Sequence, residues 1–335
     1  MGAYLFKRLL LILPTFLGIT VITFFIIQLA PGSPISAKIQ QMGGGGIKSE
    51  MISKEVMDQT KALYGLDKPL PVQYGIWLKK IVTLNFGNSY KDHRPVMDKI
   101  KEALPVTLLL NILSILIIYS IAIPLGLFSA VHPDSRTDKV TTLTLFFLYS
   151  LPSFWIAMLL IMFLGGGEYL NLFPITGIFS PGVEALSLFG KIGNLCWHLT
   201  LPVIVLTYGE FAFLSRLSRA QILEVIHQDY IRTARAKGLS EKVVIGKHAL
   251  RNALIPLITL SGTLLPALIG GSVIVEQIFS IPGMGRLGFE AVLSRDYPTV
   301  MAIASIGAFL TLISLLLSDL LYVIVDPRIS FRGRE

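Results

Sequence analysis

An all-α polytopic membrane protein with six transmembrane helices is the fold this sequence predicts, and three observations carry the prediction. Apolar residues make up 53% of the 335-residue chain and charged residues only 15%, where a soluble domain has about 25% charged residues. Mean hydropathy is +0.68. Runs of about 20 apolar residues recur along the chain, each long enough to cross a hydrocarbon layer about 30 Å thick.

The expected spans cover about 9–30, 105–131, 140–164, 197–215, 253–275 and 300–325. The first follows Lys7 and Arg8 and runs from Leu9 to Ala30 before Pro31-Gly-Ser-Pro34 stops it. A secretory signal has a core of about 7–15 residues and a small-residue cleavage site. Residues 1–30 therefore read as an uncleaved anchor. Segment 31–104 reads as a small extracytoplasmic insertion with helical parts. Gly43 to Gly46 mark a flexible turn within it. Ser53 to Tyr64 has helical spacing, with Ser53 as N-cap and Gly65 as stop, and Val72 to Val82 is a second amphipathic helix. Residues 105–325 form the transmembrane core, with a cytoplasmic connection at 216–252, and 326–335 form a tail.

Basic residues in the short connections set the orientation. Lys7, Arg8, Arg136 and Lys139 lie on one side, together with Arg328, Arg332 and Arg334 of the tail. That side also holds Arg216, Arg219, Arg232, Arg235, Lys237, Lys242, Lys247 and Arg251. The opposite short connections carry only Lys191, Arg286 and Arg295. The basic side is expected to be cytoplasmic and to hold both termini. Segment 31–103 has about eleven Lys and Arg on the outer side, but it also has seven acids and exceeds the loop length the rule covers.

The net charge of +8 is gathered in these loops and forms no basic stripe with interleaved aromatics, which argues against nucleic-acid binding. The single cysteine, Cys196, has no partner for an internal disulfide, and the five histidines show no ligand spacing. No G-x-x-x-x-G-K-[ST] occurs, so ATP has no phosphate loop here. No nucleophile–base constellation points to an enzyme.

Gln228 to Gly238 is the most informative connection. Tyr230, Ala234 and Lys237 recur at i, i+4 and i+7, and Ala234 and Ala236 keep the surface low enough for another protein to approach. Gly238 can end a helix in the left-handed region, after which Ser240 can cap a second helix with Glu241 in its first turn. Two short helices would then project into the cytoplasm. A solvated basic loop that only enforces topology is the alternative.

Ala234-x-x-x-Gly238 stands where ABC importer permeases carry an EAA-x-x-x-G loop. Asp229 to Leu239, followed by His248 to Ala253, resembles the dipeptide/oligopeptide/nickel permease family. Leu66 to Leu70, Gln73-Tyr74, Trp77 and Phe86-Gly87 resemble the extracytoplasmic segment of its B-type subunit. Val275 to Phe279, Ile281 to Gly285, Arg295 to Pro298 and Asp326 to Ile329 are similar to its C-terminal half. Arg232 and Thr233 occupy the Glu and first Ala positions of the general pattern, and the first proline after the loop comes late, at Pro256.

The resemblance implies a type I ABC importer permease fold and a coupling helix that docks in a groove of an ATPase subunit. Asp229, Tyr230, Arg232, Thr233, Ala234, Arg235, Lys237, Gly238 and Leu239 would carry that contact. It also implies a homologous second permease, two ATP-binding cassette ATPases that hold ATP and Mg, an extracytoplasmic solute-binding protein, and surrounding membrane lipid. The solute would be a small molecule delivered by that protein, a di- or oligopeptide first, with nickel chelates, glutathione-like compounds and some sugars as the alternatives within the family. Glu276, Phe279, Pro282, Gly283, Gly285, Arg295, Asp296 and Tyr297 would form an outer gate or binding-protein contact, with Leu287 and Phe289 flanking a re-entrant hairpin; an ordinary interfacial loop is the alternative.

Polar residues within spans mark candidate pathway positions. These are Glu210, Asn111, Ser114 and Asp319, although Glu210 could simply pair with Arg216, and Asp319 could serve helix packing. Pro256, Gly262, Pro266, Gly270 and Gly271 make the fifth span bendable. A proton-coupled secondary transporter using Glu210 and Asp319, or a non-transporting membrane scaffold, are the rival readings; neither accounts for the ordered motifs.

Overall fold

The computed structural model describes residues 2–29, 67–165, 169–260 and 264–325. Gly43–Gly46, the Ser53–Tyr64 helix, Gly262 and the tail 326–335 lie outside the described residues. Among the described residues every named element is helical, and β structure is confined to an isolated bridge between Asn88 and Pro95.

Helix α1 covers Gly2–Leu29 and presents Leu9, Leu13, Ile22, Ile26 and Leu29 outward, as expected of a wall facing lipid. Two of its threonines bond back within the helix: Thr15 Oγ1 donates to Leu11 O at 2.7 Å and Thr20 Oγ1 to Leu17 O at 2.8 Å. Helix α2, Leu70–Val82, starts behind Pro69 and ends with Lys79 and Lys80 in its last turn, where the helix dipole favours cations. It buries Trp77 and Ile81, and Trp77 stacks on Phe24 of α1.

Helix α3, Val96–Val131, is 36 residues long. It begins nine residues before the expected span because Pro95 sets its N-terminus, and its amphipathic first turns bury Val96 and Ile100 in an outer cluster with Phe24, Trp77, Met284 and Met301. The expected span 140–164 is a bent pair. Helix α4, Arg136–Ser150, and helix α5, Ser153–Leu160 with its π turn Ile161–Gly165, meet at 95°. Pro152 at the junction has no N–H to continue the helix. Helix α6, Leu188–Ile226, is 39 residues long and extends the expected 197–215 span at both ends. It packs against α3 through Ile118, Ala122 and Leu214, and through Leu110, Leu199 and Val205.

Next come α7, Asp229–Ala236, α8, Glu241–Val243, a π turn Val244–Ala249 and α9, Leu250–Ala253. The expected continuous span at 253–275 is turned at Leu254 and at Gly271; between those turns the described residues form α10, Ile255–Leu260, and α11, Leu264–Gly270, and α12, Val273–Ile278, follows the second turn. Pro256 and Pro266 each remove a helical donor. Gly271 turns the chain at φ +67°, and Ser272 then caps α12, its Oγ accepting from Val275 N at 3.4 Å. Helices α13, Met284–Leu293, and α14, Tyr297–Val325, complete the chain. Four described helices are long and apolar enough to cross a membrane, or five if the bent pair is one span.

Candidate functional site

Three regions gather the expected functional residues: the 228–252 loop, a cavity between α3, α6 and the 255–272 segment, and the hairpin of α12 and α13.

Gln228 starts α7 two residues after α6 ends, so the two helices are joined almost directly. Ile231 is fully buried and Ala234 nearly so; together with Val244 and Ala249, and with Val225 and Ile226 beside them, they form a small core beneath α7. The opposite face is polar and open: the side chains of Asp229 and Arg232 are 95% and 72% exposed, and Thr233 and Ala236 are exposed beside them. Ala234 therefore anchors the loop to its own chain, and the low surface expected at Ala234 and Ala236 is found only at Ala236. Gly238 has φ +77° and donates to Arg235 O at 2.9 Å, ending α7 in the left-handed conformation.

Ser240 occupies the next N-cap position without a side-chain cap. Glu241 instead accepts from Arg235 Nε at 2.7 Å and Nη2 at 3.3 Å, bracing α7 against α8. Asn252 Nδ2 donates to the Tyr230 hydroxyl at 2.7 Å. Lys237 and Leu239 remain exposed. Sequence reasoning did not single out Ile231 or Asn252. An isoleucine three residues before Ala234 in an otherwise polar helix is the signal that could have marked the inward face.

Nearer the middle of α6, Asp138 of α4 accepts from Arg219 Nε at 2.8 Å and Nη2 at 2.7 Å. Such a bidentate pair fixes direction as well as distance, and it locks α4 to α6 close to the loop.

The cavity has a volume of about 500 Å³. Asn111, Ser114 and Tyr119 of α3, Glu210 and Phe213 of α6, and Ala267, Gly270 and Gly271 line it, among others. Three of the four pathway candidates thus meet. Asn111 Nδ2 donates to Ala267 O at 2.8 Å and Leu268 O at 2.9 Å, holding the broken helix to α3. Arg216 sits over the Phe146 ring at 3.7 Å, away from the Glu210 pairing considered above. Asp319 lies elsewhere, 3.1 Å from Arg8 Nε between α14 and α1.

The expected outer gate is a tight helical hairpin, α12–turn–α13. Glu276, 1% exposed, accepts from Thr107 Oγ1 at 3.1 Å and Arg286 N at 2.8 Å, and Thr107 Oγ1 accepts from Met284 N at 2.7 Å. The glycines let backbone close around this carboxylate: a Cβ on Gly271 would lie 2.5 Å from Glu276 Oε1. Asp296, also 1% exposed, accepts from Ser89 Oγ at 2.5 Å, Tyr90 N at 2.8 Å and Thr299 Oγ1 at 2.6 Å. Of the expected gate residues, Glu276, Phe279, Gly283, Gly285 and Asp296 are buried and shape the hairpin. Pro282 is exposed at its tip, and Arg295, with φ +53°, and Tyr297 are half-buried at its base. On α13, burial pushes the Glu290 carboxyl up, but Arg286 and Lys91 outweigh burial and hold it below its ordinary value.

A multi-pass helical membrane component with a short amphipathic helix joined to a long cavity-lining helix is the class these features define. Residues 122–331 match the family described as binding-protein-dependent transport system inner membrane component, and residues 1–111 match the N-terminal family of such membrane components. The chain belongs to this family of ABC importer permeases, in its peptide branch. It is 42% identical to the oligopeptide transport system permease protein AppB of Bacillus subtilis, over 99% of this chain and 100% of that protein. It is 37% identical to the inner membrane ABC transporter permease protein YejB of Escherichia coli O157:H7, with both chains covered in full. The dipeptide transport system permease protein DppB of Alkalihalophilus pseudofirmus is 34% identical over 99% of this chain. The family is a membrane component of transporters and not itself an enzyme. The proton-coupled alternative finds no support in these matches.

Proposed function

We propose that this chain is the B-type half of the membrane pathway of an ATP-driven peptide importer. The observation that carries the reading is the construction of α7. Its apolar face is spent on Ile231 and Ala234, its polar face on Asp229, Arg232 and Thr233 is left open, and it is joined almost directly to α6, which lines the cavity. A surface helix held this firmly suits helix-in-groove docking onto a separate ATPase.

In this reading two ATPase subunits carry ATP and Mg. Their closure moves α7, and α6 carries the motion to the cavity as alternating access. A homologous permease completes the pathway, and a solute-binding protein delivers cargo to the Pro282 hairpin. The type I fold requires six crossings, the fifth assembled from α10, α11 and α12, with both termini in the cytoplasm as the basic loops indicate. The peptide solute is supported by the oligopeptide and dipeptide names of the relatives.

The test is co-purification of the tagged chain with its partners. Arg232→Glu is expected to release the ATPase subunits and abolish ATP-dependent peptide uptake while the chain stays inserted. Full ATPase recovery with normal uptake in this variant would overturn the coupling assignment.

A further inference from the structure

The cavity has a chemical bias. Its lining includes one ionisable carboxylate, Glu210, and no lysine, arginine or histidine among the described residues. Arg216, the basic residue one turn and a half along α6, is occupied over the Phe146 ring. The Asn111 amide nitrogen is engaged by Ala267 O and Leu268 O, so what Asn111 offers a ligand is its oxygen acceptor. The Ser114 hydroxyl is buried at the same wall without a hydrogen-bond partner. Carboxylate, amide oxygen and hydroxyl make a wall rich in acceptors, set among Ile118, Leu206 and Phe213. A charge in such surroundings favours a counter-charge over isolation.

We propose that this cavity binds the ammonium group of the travelling solute, with Glu210 as its counter-ion and Ser114 and Asn111 as acceptors beside it. An ammonium is a pure donor with three N–H bonds, which suits the carboxylate, amide-oxygen and hydroxyl acceptors of this wall, the hydroxyls of Ser114, Tyr119 and Ser272 being free to turn a lone pair toward it. The volume of about 500 Å³ falls in the range of small-ligand pockets. This inference rests on the importer reading and deepens it: the permease itself, and not only a delivering protein, selects for a free amino terminus.

Tri-alanine and N-acetyl-tri-alanine are the probes, because they differ in the amine charge while sharing the same side chains. The reporter is the alkylation rate of Ala267→Cys on a Cys196→Ser background, in the assembled transporter in lipid without binding protein. Tri-alanine at about nine times its Kd is expected to slow alkylation about tenfold, because the free fraction falls as 1/(1 + L/Kd), where L is the free peptide concentration. N-acetyl-tri-alanine is expected to leave the rate unchanged. Glu210→Gln should abolish the protection at equal recovery of assembled complex, and Glu210→Asp should keep part of it. Equal protection by both peptides, protection that survives Glu210→Gln, or protection by neither peptide would overturn the proposal. ATP-dependent uptake of tri-alanine by the parent complex is measured separately. Its absence alongside amine-selective protection sinks the importer reading alone, whereas uptake without such protection sinks the cavity assignment alone.

Discussion

Thr107 and Glu276 stand 169 residues apart in sequence, and their side chains meet at 3.1 Å, Thr107 donating to Glu276 while accepting from Met284 N. One hydroxyl therefore serves both the buried carboxylate of α12 and the first turn of α13. Glu276 also accepts from Arg286 N, so the carboxylate caps α13 from the opposite arm of the hairpin. Thr107→Val keeps the shape and removes both bonds. Its expected cost is about 1–3 kcal/mol, from a buried donor and acceptor left unsatisfied. Thermal unfolding of the purified complex checks this; an unchanged midpoint would show that the hydroxyl contributes nothing.

The closeness of the hairpin gives a steric prediction. A Cβ on Gly285 would stand 2.8 Å from Val273 N, and one on Gly283 would overlap the Glu276 carboxylate, whereas Gly193 has nothing within 4 Å. Gly285→Ala and Gly283→Ala should each lower the thermal midpoint and transport, while Gly193→Ala should leave both unchanged. Wild-type behaviour in both hairpin variants would mean that the arms can separate at no cost.

Ala234→Asp and Arg232→Glu should both abolish transport, but by different routes. The first puts a charge into the core formed with Ile231, Val244 and Ala249. It should open the loop to trypsin at Arg235, a site that both variants retain. The second changes only an exposed surface and should leave the digestion pattern as in the parent. Identical digestion of both variants would contradict the buried placement of Ala234.

Acid should weaken the attachment of the hairpin to the segment before α3. Lys91 lies 3.0 Å and Arg286 2.8 Å from the Glu290 carboxylate, and Lys99 lies 2.9 Å from Asp92. At Asp92 burial raises the carboxyl, but the hydrogen bonds from Lys99 and Ser89 outweigh it; both Asp92 and Glu290 titrate below their ordinary 3.8 and 4.5. A depressed folded value means that the stabilisation is present above the ordinary value and is lost as pH falls through the folded one. The thermal midpoint should therefore fall as pH drops below about 4.5, and less steeply in Glu290→Gln. Equal steepness in the two proteins would exclude Glu290 as a contributor.

Arg219→Ala leaves Asp138, 4% exposed, without its bidentate partner. Stranding one member of such a pair costs about 3–5 kcal/mol, and α4 should loosen from α6. Uptake should fall more than Arg219→Lys, which retains the charge without the fork. Equal uptake by the two variants would show that geometry at this pair is immaterial.

What could be read from the sequence follows the physics of each element. Runs such as 9–30 and 105–131 are apolar all round, and lipid demands that pattern whatever the tertiary context, so α1 and α3 were found. Their extensions were missed where amphipathic turns continue beyond the apolar run, as at Val96 to Leu104 and at Leu188 to Cys196. Hydropathy carries length but not direction, so the 95° turn at Pro152 was invisible although the proline was in plain view. The prolines and glycines of 256–271 imply bendability, yet the placing of the turn at Gly271 goes with the Asn111 bonds to Ala267 O and Leu268 O, made by a residue far away in sequence. At the site, Gly238 was legible because only backbone conformation is involved. The inward turn of Ala234 was not, since it depends on Val244 and Ala249 approaching from the next helices. Glu276 with Thr107, and Asp296 with Ser89, required folding to bring distant segments together.

Helix α6 runs without interruption from its cap at Ser187 to Ile226. At about 1.5 Å per residue it is roughly 58 Å long, so a tilt of about 5° about its midpoint would shift each end by about 2.5 Å in opposite senses. A displacement imposed at α7 would thus reach the Ser187 end with the sign reversed and without delay. A transporter built on such a seesaw need not send a message between its two mouths: opening one and closing the other are a single event.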